Sequence, residues 1–247
     1  MFVTDRAAPT EYHELFAGQA KAKKDPDTYS WEEAMASPYR PHFLKAAQDE
    51  IDALVEHGTW TEDLIRNAIT KIVPSQWVFV IKRTADGKIK KYKARLVLRG
   101  DLQEYEGETF SPVAAWTTVR YFLIVSMVLK WVTLTIDFSN AFMQSCLPED
   151  EPVWMKAPKG YTCTKGPEYC LKLRKSLYGH KVAPLLWFKY ISKAFEELGL
   201  KQSEYDPCLW YKDDMMLVQY VDDCGIAAPS KDIIDRFVQQ LLDRGFN

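Results

Sequence analysis

The stretch from Met215 to Ala228, MMLVQYVDDCGIAA, constrains the chain most. Apolar residues run up to Tyr220, two adjacent carboxylates follow at Asp222 and Asp223, and a second apolar run leads from Cys224 to Ala228. That order predicts a β-hairpin with both carboxylates at its tip. Apolar flanks place the hairpin in a core, where two neighbouring carboxylates without a partner are costly. A bound hard cation with oxygen ligands, such as magnesium, is one remedy. An acidic pair is also what a solvated turn looks like, and Asp213–Asp214 reads as one. Company elsewhere in the chain must therefore decide whether Asp222 and Asp223 form a site.

At 247 residues the chain can form one large domain or two small ones. Apolar residues make up 47% and charged residues 27%, the balance of a soluble globular protein. No apolar run reaches the ~20 residues of a membrane span. The start, MFVTDRAAPT, lacks the apolar centre of a secretory signal. Five cysteines with no C-x-x-C pair point to reduced thiols, and the scattered His13, His42, His57 and His180 argue against zinc. The net charge of −2 announces no polyanion, but local charge does. Lys82 to Arg99 holds eight basic residues and one acid, a net of +7 over eighteen positions. Such a stripe can track a phosphate backbone or grip a triphosphate.

Residues 1–30 read as weakly ordered. A short helix is predicted from Ser30, broken by Pro38 and Pro41, and a second carries Phe43, Ala47, Ile51 and Leu54 on one face up to Gly58. QWVFVIKR, the turn Ala85-Asp86-Gly87 and KIKKYKARLVLRG read as a hairpin. In its return strand Ile89, Lys91, Lys93, Arg95 and Val97 share one face, and Lys90, Tyr92, Ala94, Leu96 and Leu98 the other. A helix from Thr117 to Lys130, capped by threonine, precedes a buried strand that ends at Asp137. Four prolines between 147 and 170 mark an irregular excursion with strands near Val153 and Tyr169. Helices over Ala183–Leu198 and Lys231–Leu242 frame a strand from Cys208 and the acidic hairpin.

The second half thus reads β-α-β-β-α, near a ferredoxin-like split unit. In such a sheet the end of the Asp137 strand and the hairpin tip are neighbours, and three carboxylates converge. That set can hold two magnesium ions ~3.5–4 Å apart and support in-line phosphoryl transfer.

The chain resembles the reverse transcriptase of copia-type (pseudovirus) long-terminal-repeat retrotransposons. The matching pieces are WEEAM from Trp31, EHGTW from Glu56, WVFVIKR from Trp77, DGKIKKYKARLVLRG from Asp86, TFSPVA from Thr109, IDFSNAF from Ile136, KSLYGHKVAP from Lys175 and YVDD from Tyr220. They cover roughly residues 31 to 247 in order. The resemblance implies an α+β right-hand polymerase, with a ferredoxin-like antiparallel palm sheet bearing helices on one face. Fingers would span about 31–130 and 147–175, and palm about 131–146 and 176–247, with thumb and ribonuclease H absent. It implies RNA-directed DNA polymerase activity, transferring a nucleotide from a dNTP to a primer 3′-hydroxyl on an RNA or DNA template. Asp137, Asp222 and Asp223, with the Phe138 carbonyl, would hold two Mg2+ ions, or Mn2+ in their place. Lys82, Arg95, Phe142, Tyr178 and Gly179 would bind the nucleotide, Phe142 as a gate against the 2′-hydroxyl. Tyr220, Lys91, Lys93 and Arg99 would meet primer and template. Integrase and ribonuclease H parts of a Pol polyprotein are the implied partners, no membrane is, and the family works in cytoplasmic particles and the nucleus.

Departures from the family pattern are local. Its YGLKQAPR reads Tyr-Gly-His-Lys-Val-Ala-Pro-Leu here, so Val182 and Leu185 replace an amide and an arginine, and Ser145 stands where a glycine is usual. They leave an alternative: a truncated, inactive retrotransposon relic that at most binds nucleic acid. A magnesium phosphohydrolase would use the same aspartates but gives no reason for the basic hairpin.

Overall fold

Alternating apolar side chains make strands here, and apolar recurrence at three and four makes helices. The computed structural model describes residues 25–246. In chain order the elements are β1 (Thr28–Tyr29), α1 (Trp31–Ala36), α2 (Arg40–Glu56), β2 (Trp60–Leu64), β3 (Ser75–Arg83), β4 (Ile89–Leu98), α3 (Trp116–Val128), β5 (Val132–Asp137), α4 (Ala141–Gln144), β6 (Trp154–Met155), β7 (Tyr169–Leu173), α5 (Ala183–Glu197), β8 (Lys201–Gln202), β9 (Leu209–Lys212), β10 (Met215–Tyr220), β11 (Asp223–Ala228) and α6 (Lys231–Asp243). They form a mixed α/β structure with three antiparallel sheets, ordered β1-β3-β4, β5-β11-β10-β9-β8 and β2-β7-β6.

Most of the segment expected to be weakly ordered lies outside the described residues. Its last part is tied down: Thr28 and Tyr29 pair with Val80 and Phe79, and Arg83 forks onto Asp27 at 2.7 and 2.9 Å. Ser30 starts α1 with a reciprocal cap, its hydroxyl accepting from the Glu33 amide while its own amide donates to the Glu33 carboxylate. On the β3–β4 hairpin Trp77, Phe79, Ile81, Ala94, Leu96 and Leu98 are buried, with Phe43, Ala47, Ile51 and Leu54 of α2 in the same cluster. The opposite face keeps the cations.

In the large sheet the three strands of the expected split unit lie in the order β5-β11-β10, extended by β9 and the two-residue β8. The expectation of helices on one face needs correction. Met215, Leu217, Cys224 and Ile226 pack with α5 and α6, whereas Met216, Val218 and Ala227 pack with Phe122 of α3 on the other side. The physical reason is that β10 is apolar at nearly every position, not at alternate ones, and is buried from Met215 to Gln219, so both faces need cover.

Two further expectations change. The helix before β5 is not capped by threonine: Ala115 is the N-cap, and the Asp206 carboxylate accepts from the Ala115 amide at 3.0 Å and from the Thr118 hydroxyl. A carboxylate 91 positions along the chain thus does the work of a local cap. β5 is not a buried strand but an exposed sheet edge, with Val132 and Leu134 open, and Ile124, Met127 and Val128 of α3 are exposed as well.

Candidate active site

Sheet register brings the distant carboxylates together. β5 and β11 pair antiparallel, with Asp137 directly opposite Asp223. Residues opposite each other in such a pair stand with Cβ atoms about 4.5–5.5 Å apart. Asp222 is next to Asp223 in the two-residue turn closed by the Tyr220–Asp223 pair. Two hydrogen bonds to backbone carbonyls fix this turn: the Phe138 amide donates to the Asp222 carbonyl at 2.9 Å, and the Trp187 indole N–H donates to the Val221 carbonyl at 2.7 Å. Val221 sits at φ 58°, a left-handed conformation that a β-branched residue rarely adopts. The Phe138 ring is buried edge-on against Trp187 and Phe246, anchoring the chain just beyond Asp137.

The electrostatics are those of crowded like charges. Burial, and then the charges of Asp222 and Asp137, push the Asp223 carboxyl above its ordinary range. None of the three carboxylates has an ion-pair or hydrogen-bonding side-chain partner among the described residues. They are not deeply buried, contrary to the sequence expectation: Asp137 and Asp223 are exposed and Asp222 is half-buried. The apolar strands of the hairpin are buried, but its tip projects past the sheet end into solvent. Among the described residues no group of three His, Cys, Asp or Glu forms a ready-made metal cage. The donor chemistry, three uncompensated carboxylates at one strand end, still suits hard divalent ions.

A short stack connects this end of the sheet to the basic hairpin. The Phe142 ring meets Tyr178 edge-on at 5.1 Å, and the Arg95 guanidinium lies 4.9 Å over the other partner of the contact, the Tyr178 ring. Burial raises the Tyr178 phenol, with Asp222 and Asp137 adding to the shift and Arg95 opposing it. Gly179, at φ 80°, presses so close to the hairpin that a Cβ there would stand 2.2 Å from the Leu98 carbonyl oxygen. A Cβ on Gly100 would stand 2.0 Å from the Gly179 carbonyl oxygen. Only glycines allow this approach of two backbones.

Of the other expected residues, Lys82 pairs with Lys91, while Lys93 and Arg95 face Val80 and Val78, so four cations share the face away from the core. Burial holds the Lys93 ammonium below its ordinary range, with Arg95, Lys82 and Lys91 adding to that and Glu50 opposing it. Like charges set across a ladder destabilise it, so this face is arranged for an anion. Arg99 is not brought to that array: its guanidinium forks onto Asp101 at 2.8 and 2.6 Å. Tyr220 is at the acidic tip with its ring half exposed.

Sequence reasoning missed Trp187, Gly100, Gln103 and His180. Gly100 ends the basic run and could have been suspected as a close-approach glycine. Trp187 carries no local signal, because its partner, Val221, lies 34 positions away.

Comparison with known proteins gives the family of the chain. A family model described as reverse transcriptase (RNA-dependent DNA polymerase) matches residues 59–246. The chain is 34% identical over 209 residues to the retrovirus-related Pol polyprotein from transposon RE1 of Arabidopsis thaliana, covering 81% of this chain and 14% of that protein. It is 30% identical over 219 residues to the Pol polyprotein from transposon TNT 1-94 of Nicotiana tabacum, covering 85% and 16%. A Ty1-ER2 Gag-Pol polyprotein of Saccharomyces cerevisiae matches at 25% over 190 residues, covering 73% and 10%. The chain therefore spans about a sixth or less of the length of these relatives.

Proposed function

Because the chain belongs to the reverse transcriptase (RNA-dependent DNA polymerase) family, in its copia-type transposon branch, we propose that it performs template-directed nucleotidyl transfer at Asp137, Asp222 and Asp223. The observation that carries this reading is the β5–β11 register, which sets Asp137 opposite Asp223 with Asp222 adjacent. In this reading the β3–β4 hairpin and the β2-β7-β6 sheet are fingers, and the large sheet with its helices is palm. The substrates are a primed RNA or DNA template and dNTPs, and the remaining Pol polyprotein domains are the partners.

The three carboxylates, with the Phe138 carbonyl, would hold two magnesium ions, with manganese as a substitute. When bound, these ions supply neutralisation for the attacking oxygen and the leaving group. The chain's own residues do the rest. Lys82 and Arg95 offset the triphosphate charge, and Lys91 and Lys93 hold template phosphates. Phe142, wedged against Tyr178, occupies the space a ribose 2′-hydroxyl would need. Tyr220 meets the primer end. The primer 3′-oxygen forms a bond to the α-phosphorus, the bond to the β-phosphate oxygen breaks, pyrophosphate leaves, and the hydroxyl proton passes to solvent.

Replacing Asp222 with Asn tests this. Magnesium-dependent primer extension is expected to fall to background while circular dichroism and melting stay those of the wild type. Undiminished extension by the variant would remove the assignment. One observation favours the second reading, a relic that only binds nucleic acid: Val182 and Leu185 are buried apolar residues and offer template or nucleotide no polar group. A wild-type chain that binds primed template but never extends it decides for the relic.

A further inference from the structure

His180 is a buried polar residue in the chain segment that carries Tyr178 and Gly179, and nothing above uses it. It is 4% exposed. Both ring nitrogens are engaged: Nδ1 lies 3.3 Å from the Ser176 hydroxyl and Nε2 lies 3.2 Å from the Gln103 side-chain nitrogen. Gln103 and Ser176 can each donate or accept, so between them they supply the neutral ring with one donor and one acceptor in either tautomer. Burial holds the imidazole down at about 4, which keeps it neutral and in need of one donor and one acceptor.

These partners lie on different parts of the chain. Gln103 follows the basic hairpin by five residues, and its carbonyl also accepts from the Lys181 ammonium at 2.7 Å. The Leu98 amide donates to the Tyr178 carbonyl at 2.7 Å. On the other side the Ser176 amide donates to the Ser145 carbonyl at 3.1 Å, and the Ser145 hydroxyl donates to the Phe142 carbonyl at 2.9 Å. A continuous polar path therefore runs from the exit of the cationic hairpin, through His180, to the short helix that carries Phe142.

We infer that His180 is a positioning residue that clamps the 176–180 turn between the Gln103 loop and the Phe142 helix. It thereby fixes Tyr178 between the Arg95 guanidinium and the Phe142 ring. The Leu98–Tyr178 bond and the Gly100–Gly179 contact hold the turn against the hairpin, and the two side-chain bonds of the imidazole tie its far end to the Gln103 loop and to Ser176. A loosened turn lets the Tyr178 ring rock, and the surface that the Arg95–Tyr178–Phe142 stack would present to a nucleotide loses its shape. The inference rests on the nucleotidyl-transfer reading for its kinetic consequence, but not for its structural one.

The test uses the full chain with His180→Leu, which fills the volume without either bond, and Gln103→Leu, which removes one partner from a half-exposed loop. The imidazole nitrogen shifts of the wild type should report a neutral ring with one protonated and one accepting nitrogen, each bonded to a partner. Each variant should raise KM for the incoming dNTP about tenfold, the worth of one net hydrogen bond, while kcat changes less than twofold. The double variant should be no worse than His180→Leu alone, because the two side chains act through one bond. A shift pattern without a bonded Nε2, or variants with unchanged KM, overturns the inference. If the wild type extends no primer, the polymerase reading fails instead, and the nitrogen shifts with nucleotide affinity measured by equilibrium binding still decide the clamp.

Discussion

Asp223 shows what crowding like charges at one strand end costs a fold. Its carboxyl is held above the ordinary 3.8 by burial and by Asp222 and Asp137. The folded chain then holds that proton more firmly than the unfolded chain. The stability this lends is present below pH 3.8 and is lost as pH rises through the folded value. Asp223→Asn should therefore melt above the wild type at pH 7 and lose that advantage near pH 3, while extending no primer. Calorimetry at the two pH values checks it, and a lower melting temperature at pH 7 contradicts the repulsion. His180 has the opposite sign. Its imidazole is depressed from 6.5 to about 4, so stability is full above pH 6.5 and falls as pH drops towards 4. The loss over that window is roughly 3 kcal/mol. Denaturant titrations at pH 7 and pH 4.5 should show His180→Leu losing much less stability between them than the wild type.

Among elements, the β10–β11 hairpin is the strained one. Val221 at φ 58° carries a conformational cost of about 1–2 kcal/mol that a glycine would not. Val221→Gly keeps the backbone carbonyl that accepts from Trp187, so the turn's anchor survives. It should melt about 2–4 °C higher, the shift expected for ~1 kcal/mol in a chain of this size. No gain in thermal scans would mean that the valine side chain, itself half-buried, returns as much by packing as its backbone loses. The β3–β4 hairpin is built on the reverse plan. Its apolar face seats against α2, and its other face concentrates Lys82, Lys91, Lys93 and Arg95 without a carboxylate among their cross-strand partners.

At the scale of the whole molecule the consequence is an uneven field on a chain with a net charge of only −2. The acidic strand end and the cationic face lie on either side of the Tyr178 stack. Primed template held by Lys91 and Lys93 should lose affinity with salt, these two contacts contributing about −1.8 to the log–log slope. Removing both, as Lys91→Ala with Lys93→Ala, should flatten the slope by that amount in fluorescence anisotropy titrations across salt. An unchanged slope would move the template contact off the hairpin.

The two long hairpins and the main helices were legible because local pattern dictates them, whereas β1, β2 and β8 were not read. The alternation in KIKKYKARLVL, the caps at Ser30 and the apolar recurrence through Ile234, Phe237 and Leu241 are each read within a few residues. So were the strings whose carboxylates the sheet brings together, since YVDD and IDFSNAF are short. Three things were not legible: that α3 covers the second face of the sheet, that Asp206 caps that helix, and that Trp187, Gln103 and His180 hold the site in shape. Each depends on a partner at least 34 positions away, and no local pattern encodes such a distance. The sequence by itself determined which groups carry charge and, where apolar residues alternate as in the basic hairpin, which way a strand must face. Only the tertiary structure decided their register, because Asp137 comes to stand opposite Asp223 through pairing energies summed along whole strands.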